Sequence, residues 1–291
     1  MSVAAGQLPT VAAALADATT RLAAAGVEDA RREARLLLAA VLTGGMTAVV
    51  AGARRALTEG ETHDYTHFVD RRAAREPAAH LFGRAAFWTL DLAVDARVLV
   101  PRADSETLVE ALLEVRPQGK AGAGLRVLDL GTGSGCLALA LAAEWPGARV
   151  DAVDASDDAL DVARANVARL GLGGRVACHR GNWGADIVGS YDVIVANPPY
   201  IASAEIAGLA PEVARFEPRT ALDGGLDGLD GYRALMPDVA RLLASGGVAA
   251  LEVGAGQATG VESVAKAAGL APAGRRRDLG GHERCVLLTC N

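Results

Sequence analysis

The 291-residue chain has little cysteine, no excess of positive charge and no long apolar run. Its four cysteines, Cys136, Cys178, Cys285 and Cys290, show no CxxC spacing. Neither a zinc site nor a disulfide framework is supported, and buried thiols in a reducing compartment are expected. Hydrophobic residues make up 51% of the chain, but many are alanine. The mean hydropathy of +0.22 is therefore no membrane signal. No apolar stretch reaches the ~20 residues a membrane-spanning helix needs. The opening MSVAAGQLPT lacks a basic segment leading into a continuous apolar core, so no secretory signal is expected and the location reads as cytoplasmic. The net charge is −6. The basic clusters Arg31-Arg32, Arg71-Arg72 and Arg275-Arg276-Arg277 are short, interleaved with acids, and read as helix-surface charge. An acidic chain without a basic face weakens the case for a nucleic-acid substrate.

What is present changes period along the chain. Val11, Leu15 and Leu22 recur at helical spacing, and Leu36, Leu37, Leu38 and Val41 mark a second apolar face. Thr58-Glu59-Gly60-Glu61 fits a capping box for a helix running to about Ala74. In FWTLDLAV, Trp88, Leu90, Leu92 and Val94 alternate with smaller or polar residues, which predicts a half-buried strand. ARVLV, Ala96 to Val100, is the expected partner in a hairpin. A helix follows with Asp104 as N-cap, then a flexible connection over Gln118 to Gly124. From Leu125 strands and helices alternate, with strands at 125–130, 148–154, 175–179, 191–196, 247–253 and 283–289. That alternation predicts an α/β fold with a mostly parallel sheet covered by helices on both faces. Ligands bind such sheets at the carboxyl ends of the strands.

The first strand runs into Gly131-Thr132-Gly133-Ser134-Gly135. Glycines there let backbone approach a ligand where a Cβ would clash. The GxGxG spacing, rather than GxGxxG, favours an adenosyl ligand over a dinucleotide. Asp154 ends the second strand, about twenty residues on, where a carboxylate can accept from both ribose hydroxyls. Asn182 and Trp183 end the third strand, and an indole there could wall off an adenine ring. Asn197-Pro198-Pro199-Tyr200 ends the fourth. A plain strand-terminating turn would account for the prolines, but not for the asparagine before them or the tyrosine after. Pro198 restricts Asn197 to extended backbone and, lacking an N–H, offers only an acceptor. The Asn197 side-chain oxygen and the Pro198 carbonyl therefore form a fixed acceptor pair for a planar NH₂ group, with Tyr200 available to pack on its face. Such a nitrogen is a poor nucleophile. Two acceptors orient it and stabilise the positive charge that grows during attack on a methyl group.

LDLGTGSG, VDAVD and NPPY, in this order, resemble a class I S-adenosylmethionine-dependent methyltransferase, of the NPPY kind that acts on planar amino groups. The flanks REPAAHLFGRAAFWTLDLAVDARVLVPRADSETLVE, FEPRTALDGGLDGLDGYR and DLGGHERCVLL resemble the bacterial release factor glutamine methyltransferases, the HemK/PrmC family, over nearly the whole chain. The resemblance implies a Rossmann-like, mostly parallel seven-stranded sheet over residues 101–291, an all-helical N-terminal substrate-docking domain over 1–84 and a β-hairpin linker over 85–100. It implies methyl transfer from S-adenosylmethionine to N5 of the glutamine in the GGQ motif of class 1 peptide chain release factors. S-adenosylhomocysteine would be released. Gly131, Thr132, Gly133, Ser134 and Gly135 would line the cofactor, Asp154 would hold its ribose, and Asn182 and Trp183 would lie near the adenine. Asn197, Pro198, Pro199 and Tyr200 would hold the glutamine amide, with Asn197 also beside the cofactor.

Two positions depart from the family pattern. Its PRPDTE stands here as Pro101-Arg102-Ala103-Asp104-Ser105-Glu106, and Asn182 stands where an acid is usual. His63 and His67 lie four apart, but Asp64-Tyr65-Thr66 lacks the glutamate of a zinc-hydrolase helix, so a solvated face and no metal are expected. Gly254-Ala255-Gly256-Gln257 faintly echoes a GGQ target but reads as a helix start. The Gly- and Asp-rich segment from Glu217 to Tyr232 reads as a long loop that closes over the substrate. A glutamine methyltransferase of a ribosomal protein would share this fold and chemistry. A nucleic-acid exocyclic-amine methyltransferase would call for a basic face or a recognition domain.

Overall fold

In a computed structural model, residues 8–117 and 124–290 are described. They fall into two units. One ends at Gly83 and takes in the distant segment Pro211–Phe216; the other holds Arg84–Ala210 and resumes at Glu217.

The first unit contains α1 (Val11–Ala24), α2 (Ala30–Val41), α3 (Gly45–Ala51), α4 (Glu59–Ala73) and α5 (Ala78–Phe82). The buried face of α1 is Val11, Ala14, Ala18 and Leu22, with Leu15 at its margin, so alanines let the neighbouring helices approach. Helix α4 starts in the capping box that its sequence predicts. The Glu61 amide donates to Thr58 Oγ1 at 3.2 Å, and the Thr58 amide donates to Glu61 Oε2 at 2.9 Å. His63 and His67 are exposed on this helix.

Arg72 is not the surface charge expected of its cluster. It is 8% exposed, and it bridges Glu33 and Glu212 at 2.9 Å each. Arg75 grips the same Glu212 through Nε at 2.7 Å and Nη2 at 2.6 Å. Burial pushes the Glu212 carboxyl up, but hydrogen bonds from Arg75 and Arg72 overcome this and bring it to about 2. A carboxylate depressed from its ordinary value stabilises the fold fully above pH ~4.5, and that contribution fades as pH falls toward the folded value. Glu212→Gln should therefore destabilise the helical unit by about 1–3 kcal/mol at neutral pH, because two clustered guanidiniums lose the anion they share and Arg72 keeps only Glu33. Thermal melts of wild type and variant should converge as the pH is lowered through 4 toward 2. Parallel curves across that range would refute the role of Glu212.

The second unit opens with a hairpin of β1 (Arg84–Phe87) and β2 (Leu90–Ala93), paired Arg84 to Ala93 and Phe87 to Leu90. The expected hairpin is thus displaced. The turn falls at Trp88-Thr89, inside the segment read as one strand, and Ala96–Val100 is not a strand. Trp88 sits at φ +55, with its amide donating to Glu106 at 2.6 Å and its indole to Glu144 at 2.8 Å. Asp95 accepts from the Arg97 amide at 3.0 Å, a side-chain turn that stops the extended chain there. A 3-10 turn, Ala103–Ser105, leads into α6 (Glu106–Val115). Asp104 is therefore not its N-cap; it pairs with Arg284 at 3.2 Å. Of the connection Gln118 to Gly124, all but Gly124 lies outside the described residues.

The remaining elements are β3 (Arg126–Leu130), α7 (Cys136–Glu144), β4 (Arg149–Asp154), α8 (Asp157–Arg169), β5 (Val176–Arg180) and β6 (Tyr191–Ala196). They are followed by α9 (Pro211–Phe216), α10 (Asp230–Leu242), β7 (Leu243–Glu252), α11 (Ala258–Ala267), β8 (Leu270–Arg277) and β9 (Glu283–Cys290). The seven-stranded sheet has the order β5-β4-β3-β6-β7-β9-β8. All pairs are parallel except those made by β9. This is the mostly parallel, doubly wound sheet that the sequence predicts. Val127, Val150 and Val193 pack with α7 on one face, and Leu128, Ile194 and Leu251 with α10 on the other. Strands with both faces buried read as continuous apolar runs.

Arg275-Arg276-Arg277 lies on the edge strand β8, not on a helix. Arg275 pairs with Glu262 at 2.7 Å and Arg276 with Glu114 at 2.9 Å. The stretch Glu217–Tyr232 is not a continuous loop. It holds the 3-10 turn Arg219–Ala221 and the first turn of α10. Its turns are pinned by Asp223, which accepts from Ser203 and Arg219. Among the described residues no single helix is long and apolar enough to cross a membrane.

Candidate active site

From β3 the chain proceeds outward through β4 and β5, then returns to place β6 on the other side of β3. The carboxyl ends of β3 and β6 therefore flank the switch point where such sheets bind ligands. Leu130 pairs with Ala196, so the glycine loop and Asn197 emerge side by side.

The loop is built by hydrogen bonds to its neighbours. The amides of Gly131 and Thr132 both donate to the Val153 carbonyl at 2.9 Å. Thr132 Oγ1 donates to Asp129 Oδ2 at 2.7 Å, and the Ala138 amide donates to the same oxygen at 3.1 Å. Gly131 and Gly133 stand at φ +77 and +54, where a side chain would be strained. An added Cβ on Gly131 would meet the Trp183 ring at 3.2 Å. Asp129, not singled out from the sequence, is fully buried, and its Oδ1 has no partner among the described residues. Burial pushes this carboxyl up to about 7, against the hydrogen bonds from Thr132 and Ala138. Its only signal in the sequence is one acid inside the apolar run VLDL.

A cavity of about 360 Å³ opens above these strand ends. It brings together Gly131, Thr132, Gly133 and Ser134 from the loop, Asp154 from β4, Asn182 and Trp183 after β5, and Asn197 and Pro199 after β6. Three sequence candidates do not line it. Gly135 lies behind, at φ +85, where an added Cβ would press on Leu139 at 3.1 Å. Pro198 is buried, and Tyr200 is turned toward Glu252, to whose Oε1 its hydroxyl donates at 3.2 Å. Asp154 Oδ2 accepts from the Gly133 amide and Oδ1 from the Ser156 amide, both at 2.9 Å. Each oxygen keeps a lone pair for a further donor. Asn182 is exposed at the rim, and Trp183, at φ +53, lies across Gly131.

The Asn197 amide is held by Ser105, whose Oγ accepts from Nδ2 at 3.3 Å. With Nδ2 turned to Ser105, Oδ1 lies on the opposite side of the amide, and among the described residues no hydrogen bond to it is found. Among the described residues no hydrogen bond is made to the Pro198 carbonyl. Ser105 Oγ donates in turn to Glu252 Oε2. Both are buried; the sequence shows Ser105 only as part of the altered PRPDTE run, with no role attached, and gives no sign of Glu252. The cavity wall is completed by Arg102 and Pro218; Arg102 Nη2 donates to both oxygens of buried Glu217 at 2.7 Å.

The lining fits an adenosyl cofactor. Gly133 borders the cavity, and an added Cβ there would meet no protein atom within 4 Å, so it would project into open space. Asp154 offers free acceptor capacity to a diol, and the indole of Trp183 offers an apolar wall.

Residues 13–83 match the family described as PrmC N-terminal domain, and residues 103–213 the family described as methyltransferase small domain. The chain is 49% identical to the release factor glutamine methyltransferase of Rhodospirillum rubrum, over 92% of this chain and 81% of that one. The protein of the same name from Caulobacter vibrioides is 41% identical, with 96% of each chain covered. That from Moorella thermoacetica is 43% identical over 96% of this chain and 98% of that one. Among solved structures, the hMettl16 catalytic domain bound to an RNA hairpin superposes with a TM-score of 0.52 at 17% identity, covering 68% of this chain and 75% of that one. The T. thermophilus 16S rRNA methyltransferase RsmC, in complex with AdoMet and guanosine, gives 0.50 at 18% identity, covering 72% and 50%. At these identities the two structures attest the fold alone.

Proposed function

The chain belongs to the release factor glutamine methyltransferase family, and on that premise we propose the part each of its own residues takes in the reaction. The enzyme transfers a methyl group from S-adenosylmethionine to N5 of the GGQ glutamine in class 1 peptide chain release factors. It acts in the cytoplasm, where release factors work. S-adenosylmethionine, when bound, supplies an electrophilic methyl group on a sulfonium centre.

The observation that carries this reading is the Asn197 amide. Its nitrogen is committed to Ser105, so its oxygen serves as an acceptor beside the glycine loop. Asn197 Oδ1 and the Pro198 carbonyl accept the two hydrogens of the glutamine NH₂. An NH₂ held by both is oriented with its nitrogen lone pair toward the donor side of the cavity, and the acceptors stabilise the charge that develops there. Gly131, Gly133 and Ser134 bring backbone close to the cofactor, Asp154 takes the ribose, and Trp183 walls the adenine. Asn182 contributes an uncharged acceptor at the rim. Tyr200 stands behind the amide and braces the tetrapeptide. The proton leaves nitrogen after attack, so no strong base is required beforehand.

The helical unit, with α9, is proposed to grip the release factor. Half-exposed Met46 and exposed Val50 stand with Arg31 and Arg35 along grooves on that unit. The segment 217–221, whose Pro218, Thr220 and Ala221 border the cavity, is proposed to close over the bound glutamine.

Incubation with methyl-labelled S-adenosylmethionine tests the assignment. Label should enter wild-type release factor and be absent from its GGQ→GGA variant, from ribosomal protein and from DNA. Equal label in the GGA variant would refute the target residue. Label in ribosomal protein or DNA but not in release factor would refute the substrate class.

A further inference from the structure

Glu252 is the last residue of β7 and is 1% exposed. A buried carboxylate needs a reason, because removing its charge from water is costly. Its two oxygens face two different parts of the site. Oε2 accepts from the Ser105 hydroxyl and Oε1 from the Tyr200 hydroxyl. The backbone carbonyl of Glu252 accepts from Tyr232 at 2.8 Å.

The direction of these bonds matters. A serine hydroxyl has one hydrogen. With that hydrogen given to Glu252, Ser105 can only accept from Asn197, and so it selects the amide nitrogen. An asparagine amide is nearly symmetric in shape, and its orientation is decided by its hydrogen-bond partners. If Glu252 became a donor, Ser105 would take a hydrogen from it and turn its own hydrogen toward Asn197. The amide would then sit the other way round and meet the incoming NH₂ with another NH₂.

We propose that Glu252 is a positioning residue for methyl transfer: through Ser105 it fixes the Asn197 amide with its oxygen toward the substrate, and through Tyr200 it holds the far end of the same tetrapeptide. This rests on the amide-holding role proposed for Asn197. The surroundings of Glu252 make its state responsive to pH. Burial pushes its carboxyl up to about 7, opposed by the Ser105 and Tyr200 hydrogen bonds and by Arg284, and reinforced by Asp104. Tyr232 of α10, Cys136 of α7 and Cys285 of β9 are the other titratable groups whose charge interacts with it. As pH falls through the carboxyl's folded value, the added proton turns Oε2 into a donor and permits the reversed network.

The test compares wild type with Glu252→Gln, Ser105→Ala and Asn197→Ala, using release factor as substrate. Glu252→Gln should lower kcat on the order of tenfold to a hundredfold, since misplacing a positioning group by about 1 Å can cost that much. Cofactor affinity by calorimetry and the thermal midpoint should stay near wild type. Wild-type kcat should fall on the acid side of pH ~7, and that limb should vanish in Glu252→Gln. A Glu252→Gln enzyme with wild-type kcat, or a slow one that keeps the acid limb, would overturn the proposal. If that variant folds poorly, Ser105→Ala decides, because it breaks the same relay; normal turnover there also overturns it. Combining the two changes should add nothing beyond the larger single effect. Asn197→Ala separates the levels. Normal turnover in that variant sinks the amide-holding role itself, whereas a slow Asn197→Ala beside a normal Glu252→Gln sinks only the relay.

Discussion

Asn197→Ala should slow methyl transfer about 100- to 1,000-fold while leaving cofactor affinity close to wild type, the size of effect seen when one preorganised group at a charge-developing centre is removed. The substitution deletes one of two acceptors for the glutamine NH₂. The Pro198 carbonyl remains, but one acceptor cannot fix the plane of the glutamine amide, which turns readily about the side chain's Cγ–Cδ bond. The nitrogen then samples many orientations, of which few aim its lone pair at the methyl group. The fold itself should tolerate the change. Asn197 is half-buried, and the alanine leaves only the Ser105 hydroxyl short of one donor. Single-turnover kinetics with saturating cofactor and release factor measure the chemical step, and calorimetry measures cofactor binding. A loss confined to cofactor affinity would move Asn197 from the amide site to the cofactor site.

Asp154→Ala should act in the opposite way, weakening S-adenosylmethionine binding about 30- to 100-fold, or 2–3 kcal/mol, as expected for the loss of charge-assisted hydrogen bonds. Turnover at saturating cofactor should change far less. Asp154 has two tasks in this structure. It holds the amides of Gly133 and Ser156, and it presents its remaining lone pairs to the cavity. Alanine removes both, so the Gly133 peptide loses its anchor as the ribose loses its acceptor. Asp154→Asn should fall between wild type and alanine, since it retains one acceptor oxygen. Unchanged affinity in both variants would remove Asp154 from the cofactor site.

The parts of the fold that could be read from the sequence are those where period and composition agree. The strands β3, β4 and β6 are apolar on both faces and stop at glycine, aspartate and asparagine, so their ends were visible. Strand β8 was not, because LAPAGRRR carries proline, glycine and three arginines. It tolerates them as an edge strand with a register shift between Pro272 and Gly274, a position that sequence period cannot reveal. The hairpin was displaced because alternation continued from Trp88 to Val94 straight through the turn, and only the left-handed Trp88 marks the reversal. At the site, Gly131, Asp154 and Asn197 end strands and so announce themselves. Ser105 and Glu252 do not. They are 147 residues apart, and each has meaning only through the other. Pro198 and Tyr200 were legible as residues, but their placement behind the cavity depends on partners elsewhere in the chain.

The pairing of Arg72 and Arg75 with Glu212 also bears on how the protein is made. Arg72 and Glu212 are 140 residues apart. At ribosomal speeds of about 5–20 residues per second, Glu212 is synthesised on the order of ten seconds after Arg72. The helical unit thus leaves the ribosome first but unfinished, with two neighbouring guanidiniums lacking the carboxylate they share. It reaches its final stability only after four strands of the sheet, β3 to β6, have been translated. A fragment cut at Gly83 would carry the same deficit permanently, since the segment that completes the unit, Pro211–Phe216, lies far downstream in the chain.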